Sequence, residues 1–259
     1  MRAIWHFIKT GNTCSGRQIP VHLIRAALYV TIVMMWAYTW SMVPEQTWAS
    51  LGLTWQIIVW YILIAEVPAF TGMTPYRVIE ADFREGKFQT YFSRPYSWLP
   101  LFLAQECGYL PVNFVVIAAA GLLSGYAVTG EVPFDWVIGL QVVIHLAVAM
   151  FIWLCLLVCT GLTTLWVGSS NLAYWLIQKG GFILGGLLLP LSLYPQWLQD
   201  IAIFTPFVAV FYIPAQGILP DPVFGFIDGL LYQIFMLGVV LIFTTWFYSC
   251  FQKKILREG

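Results

Sequence analysis

The chain has 259 residues, 60% of them hydrophobic and 9% charged, with a formal net charge of zero. Soluble globular domains carry about 25% charged residues, so a soluble enzyme domain is excluded, and this much apolar content also excludes a disordered chain. The neutral balance points to no nucleic-acid partner.

The apolar residues form continuous runs rather than the alternating segments of a membrane β-barrel. In lipid, only a helix satisfies every backbone hydrogen bond of such a run. The sequence therefore predicts an all-α polytopic membrane protein, one transmembrane domain over 1–259. At about 20 apolar residues per span, six runs qualify: Val21–Val43, Gly52–Met73, Leu99–Leu123, Trp136–Leu162, Asn171–Leu193 and Phe224–Cys250.

Residues 1–20 read as a cytoplasmic amphipathic segment. Within it Gly11 and Gly16 have the spacing of a phosphate loop, but Arg17 and Gln18 stand where Lys and Ser/Thr would hold phosphate and magnesium, and no strand precedes it. The segment reads as a break between two interfacial helices. The first run is too long for a signal-peptide core and reads as an uncleaved span.

The cations set the orientation. Arg2, Lys9, Arg17 and Arg25 lie before or at the start of the first span, Arg77, Arg84, Lys87 and Arg94 between the second and third, and Lys253, Lys254 and Arg257 after the sixth. The alternate loops, Pro44–Leu51, Ser124–Asp135 and Tyr194–Val223, hold none. The positive-inside rule then places both termini and the loop from Thr74 to Trp98 in the cytoplasm.

Three ionisable groups fall inside spans, where they are costly and point to function. Glu66, Glu106 and Lys179 each lie about 10–12 Å from the cytoplasmic boundary by helical rise. At matching depth Lys179 reads either as the partner of a carboxylate in a polar pathway or as a structural cation reaching the inner interface. His145 lies about 14 Å into the fourth span, while Ser124 sits at the end of the third, so the two fit a serine–histidine hydrolase poorly. Cys155 and Cys159, one turn apart, read as small apolar core residues.

Two segments do not span. Between Pro75 and Pro95, Ile79 and Phe83 are one turn apart, Glu80 and Arg84 form an i,i+4 pair, Gly86 stops a helix, and Phe88, Tyr91 and Phe92 make a second apolar face. A cytoplasmic helix exposing apolar and charged residues suits a docking partner; a membrane-surface helix is the alternative. Between Leu189 and Pro214, Trp197, Ile201 and Phe204 share one face and Phe207, Val210 and Phe211 another. Each piece is too short to cross, and each reads as a short helix dipping back from the outer side.

These residues carry a resemblance. Glu80, Asp82, Phe83, Arg84, Gly86 and Lys87, followed by Ser93, Arg94 and Pro95, with Pro190, Tyr194, Pro195 and Trp197, and then Pro206, Phe207, Tyr212 and Pro214, resemble the permease subunits of type-2 ABC exporters. The resemblance covers nearly the whole chain; Lys179 falls outside the pattern. It implies an N-terminal amphipathic connecting helix, a cytoplasmic coupling helix and two outer re-entrant helices. It further implies a bacterial inner-membrane subunit that works with two ABC ATPase subunits and a second permease, like or unlike itself. ATP and magnesium would sit on the ATPases, with no cofactor in this chain. Ile79, Glu80, Asp82, Phe83, Arg84, Gly86, Lys87, Arg94 and Pro95 would then serve ATPase coupling, Glu66, Glu106 and Lys179 the pathway, and Trp197, Phe204, Phe207 and Tyr212 an outer gate. The rival readings are a membrane-embedded hydrolase or transferase using His145, and a non-transporting scaffold.

Overall fold

The structure is a computed structural model. It describes the backbone of residues 2–17, 19–71, 74–93 and 95–258, and side chains over 5–14, 19–71, 74–93 and 95–257. Every described element is helical. Among the described residues, five stretches are long and apolar enough to cross a bilayer: Ile19–Ser41, Trp55–Arg84, Trp98–Thr129, Trp136–Val167 and Phe226–Arg257.

Helix α1 (Arg2–Arg17) runs without interruption, so the expected break at Gly11–Gly16 is corrected. Gly11 instead meets Gly108 of α7 (Trp98–Thr129), backbone against backbone: a Cβ on Gly11 would land on the Gln105 carbonyl oxygen, and one on Gly108 on the Ile8 carbonyl oxygen. Small residues permit this close approach.

Helix α2 (Ile19–Ser41) is the first span and the short α3 (Glu45–Ser50) follows. Helix α4 (Trp55–Phe70) starts at Thr54, whose side chain accepts from the Ile57 N–H at 3.3 Å, an N-cap. Tyr29 on α2 donates to the Leu63 carbonyl at 2.6 Å and ties α2 to α4. Pro75 opens α5 (Pro75–Arg84), separate from α4 although the apolar stretch continues into it. Gly86, at φ +69°, turns the chain into α6 (Lys87–Phe92), as the sequence led one to expect of a helix stop.

Helix α7 ends at Gly130 in the left-handed region. Helix α8 (Trp136–Leu162) starts at Asp135, which accepts from the Ile138 N–H at 2.9 Å. After the single turn α9 (Thr164–Val167) comes α10 (Asn171–Leu184). The expected fifth span is not one continuous helix. Helix α10 has 14 residues, about 21 Å at 1.5 Å per residue, short of a hydrocarbon core of about 30 Å. Gly185 and Gly186 (φ +64°) break it, and Leu191–Leu193 continue only as a 3-10 turn. Irregular backbone at this depth is tolerated when protein covers it; the Gly186 carbonyl accepts from the buried Tyr61 hydroxyl at 2.5 Å.

Two short pieces stand where two re-entrant helices were expected. One is α11 (Gln196–Ala202); the other is a π turn (Val208–Tyr212) running into α12 (Ile213–Gln216). The second is buried throughout, packed on α4 and α8. Helix α13 (Phe226–Glu258) closes the chain and is longer than the sixth predicted run, carrying Lys253 and Lys254 on its last turns.

Candidate functional site

Helix α5 is amphipathic. Tyr76, Ile79 and Asp82 recur every three residues on its buried face, and Arg77, Val78, Ala81 and Arg84 lie on the exposed one. The buried face sits on Gly161 of α8: a Cβ there would come within 2.8 Å of Ile79 and 2.9 Å of the Tyr76 backbone. Ile79 is therefore a seat of the helix, not an exposed docking group. Phe83 also turns inward, with its ring 6.2 Å from Phe251 of α13.

The expected second apolar face of this segment is covered too. Phe88 lies 5.1 Å from Trp98 and 4.9 Å from Phe251, and Phe92 packs 6.2 Å from Tyr248. Asp82 is held between Lys87 Nζ at 3.0 Å and the Tyr91 hydroxyl at 3.1 Å. Lys87 also reaches Glu85 at 2.7 Å, and these two carboxylates, Glu85 first, raise its pKa above the ordinary value. Pro95 is exposed at the following bend; Arg94 lies outside the described residues.

The Glu80–Arg84 pair forms, at 2.6 Å, and does more than brace its own helix. The other oxygen of Glu80 accepts from the Ser170 backbone N–H at 2.8 Å and the Ser170 hydroxyl at 2.5 Å. Arg84 donates a second time, to the Gly168 carbonyl at 3.2 Å. Ser170 is wholly buried and precedes the first residue of α10. The Ser170 hydroxyl, foremost, with its N–H and the Arg84 charge, holds the Glu80 carboxyl below its ordinary value. One turn further, Tyr174 of α10 stacks on Tyr76 of α5 at 4.3 Å. Three hydrogen bonds and a ring stack thus latch α5 to the start of α10. Sequence reasoning missed Ser170; its only local signal is the Gly168-Ser169-Ser170-Asn171 run, typical of a helix start.

The far end of α10 meets the re-entrant segment. Gly180 and Gly181 leave room for rings: a Cβ on Gly180 would lie 2.9 Å from Phe207, and one on Gly181 2.5 Å from Phe211. Phe207 is therefore packed against α10, and Tyr212 is buried with its ring 6.3 Å from Tyr61. Trp197 and Phe204 are exposed, at 63% and 84%. In this chain the four residues expected to form one outer gate divide into two packed and two exposed.

A buried polar cluster supports the π turn. Pro214, five residues beyond Ala209, has no N–H to serve the Ala209 carbonyl. Gln233 of α13 supplies the donor: its Nε2 reaches Ala209 O at 2.8 Å and His145 O at 3.1 Å, while its Oε1 meets His145 Nδ1 at 2.7 Å. Sequence reasoning passed over Gln233 because it is uncharged. Ser124, by contrast, donates to Gly121 O of its own helix at 3.2 Å, so the two halves of the expected serine–histidine alternative bond elsewhere. Cys159 meets the Thr244 hydroxyl at 3.2 Å, a contact of the core.

Removing Gln233 strands two buried groups at once. Gln233→Leu should therefore cost about 2–4 kcal/mol, the sum of two unpaired buried polar groups, read as a lowered melting temperature in detergent. Adding His145→Leu should restore part of it. An unchanged melting temperature in the single variant would show that the cluster does not hold the turn.

Glu66 and Glu106 are both buried, and among the described residues no ion pair reaches either. The expected approach of Lys179 to them is not formed. Its ammonium lies over Phe182 at 4.8 Å and Trp175 at 5.9 Å, cation–π contacts within its own helix. The reason is placement around the bundle: α10 packs on α8, α11 and the π turn rather than on α4 and α7, which carry the carboxylates.

A comparison with curated proteins finds no match. Residues 28–255, from within α2 to within α13, match the family described as ABC-2 family transporter protein. That match takes in part or all of each of the five long apolar stretches, the latch and the re-entrant segment, and on it the chain belongs to the ABC-2 transporter family, as a multi-pass membrane permease.

Proposed function

We propose that the chain is the transmembrane subunit of an ATP-driven exporter in a bacterial inner membrane. It pairs with a second permease and with ABC ATPase subunits that carry ATP and magnesium. The termini and the α5–α6 segment face the cytoplasm, where all the loop cations lie. The observation that carries the reading is the Glu80–Ser170 latch. Helix α5 meets α10 at one end, and α10 meets the π turn through Gly180 and Gly181 at the other. A push on α5 by a closing ATPase would therefore reach the re-entrant segment through one short rigid element. Packed elements of this kind switch between discrete arrangements rather than deform continuously.

With Ile79 and Phe83 turned inward, the surface left for a partner is Arg77, Val78, Ala81, Arg84 and Glu85. Val78→Glu places a charge at the middle of that face without touching the seat on α8. It should reduce co-purification of the ATPase subunit about tenfold, a change of about 1.4 kcal/mol, while the permease inserts at its normal level. Undiminished co-purification and transport would remove α5 as the docking element, and a chain that never captures an ATPase would favour a scaffold.

A further inference from the structure

The bundle has an apolar cavity of about 170 Å³ between α4, α7 and α8, at the end where α4 and α8 begin. Trp60 and Ile64 form one wall, Ala118 and Leu122 a second, and Val143 a third, with Phe134 above. The ring of Phe134 stands edge-on to Trp60 at 5.5 Å. The polar atoms nearby are already engaged. The Tyr29 hydroxyl bonds Leu63 O, and Trp60 Nε1 donates to Thr129 Oγ1 at 3.1 Å and to Glu131 O at 3.2 Å. Nothing in the wall would hold a water, which needs two or more polar partners.

The mouth faces lipid. Leu122 and Val143 line the cavity and are 50% and 45% exposed, continuous with the exposed apolar flank of α7 and α8. Trp136 opens α8, is 80% exposed, and suits the headgroup level. Val143 and Leu146 lie about 10 and 15 Å below it by helical rise, the depth range of one leaflet. An empty space of this size forfeits dispersion contacts along its whole lining, and the surrounding solvent is hydrocarbon chain. Above the mouth the stretch 130–135 between α7 and α8 holds Glu131 and Asp135 and no Lys or Arg, a field that repels an anionic headgroup and suits an ammonium.

We infer that this cavity is a binding site for one acyl chain of a zwitterionic, ammonium-bearing phospholipid, entering sideways between α7 and α8. The site needs only that the helices cross a bilayer; it does not depend on which side is cytoplasmic or on ATPase coupling.

The test is photolabelling of the full chain in nanodiscs containing phosphatidylethanolamine with a diazirine at mid-chain. Labelled peptides are mapped by mass spectrometry. Labelling over 118–122 and 139–146 should exceed that of the exposed α2 and α13 faces about tenfold. Gly139→Leu should abolish the excess while preserving helix content and melting temperature, because a Cβ there meets only the Phe134 ring, at 3.7 Å. Ala118→Phe, filling the cavity from the opposite wall, should do the same. A matching phosphatidylglycerol probe should label the site less. Labelling no greater than on α2 and α13, or unaffected by Gly139→Leu, would overturn the site; equal labelling by phosphatidylglycerol would overturn the headgroup assignment.

Discussion

Glu80→Ala is expected to abolish transport while leaving the ATPase bound. The substitution removes the acceptor for the Ser170 hydroxyl and N–H and the partner of Arg84, yet the seat of α5 on Gly161 and the exposed Arg77, Val78 and Ala81 stay as they are. Transport should fall at least about tenfold, and ATP hydrolysis, if it continues, should no longer respond to substrate. Glu80→Gln keeps an acceptor for Ser170 and loses the negative charge that faces Arg84, so its effect should be intermediate; Ser170→Ala, which keeps the backbone donor, should be milder still. The carboxyl is held below its ordinary value of 4.5. A depressed carboxylate contributes fully above its unfolded value and loses that contribution as pH falls through its folded value. Coupling should therefore be flat from neutral pH down to about pH 5 and decline only below it. Transport that survives Glu80→Ala would show that α5 does not act through α10.

The latch shows where a sequence can be read and where it cannot. The spans were legible because run length is a local property, and the α5–α6 break was legible because Gly86 marks it. Glu80–Arg84 was legible as an i,i+4 pair. The Ser170 half of the same interaction lies 90 residues away, and nothing near Glu80 announces it. The inward turn of Ile79 and Phe83 was not legible for the same reason: period alone distinguishes two faces of a helix but not which one the rest of the chain covers.

Lys179 stands apart from Glu66 and Glu106 in this structure for a geometric reason. Depth along a helix follows from counting residues, whereas position around the bundle depends on packing, and two groups at one depth can lie on opposite sides. The broken fifth span was visible in Gly185, Gly186 and Pro190, but the apolar run on both sides of them outweighed that signal. Gly11 was misread in the opposite direction. Two glycines suggested a break, when the helix continues and the glycine serves contact with a partner 97 positions away.

That contact carries the second large effect. Gly108→Leu should lift α1 from α7. The Cα of Gly108 faces the Ile8 carbonyl and the Asn12 N–H, and a Cβ built on it would overlap the Ile8 oxygen. Backbone atoms cannot rotate aside as a side chain can, so one helix must move. Even Gly108→Ala should cost about 1–3 kcal/mol, the range for overpacking a fitted interface, and Leu more. Gly11→Ala should match it, since both changes insert an atom into the same gap. Gly238 of α13 supplies the opposite case: nothing lies within 4 Å of its added Cβ, so Gly238→Ala should leave stability unchanged or raise it by up to about 1 kcal/mol through helix propensity. The measurement is melting temperature in detergent together with protease cleavage within α1. Loss of protection in Gly108→Leu with an intact α2–α13 bundle would locate the damage at the α1–α7 contact. Equal melting temperatures for Gly108→Ala and Gly238→Ala would show that α1 is held elsewhere.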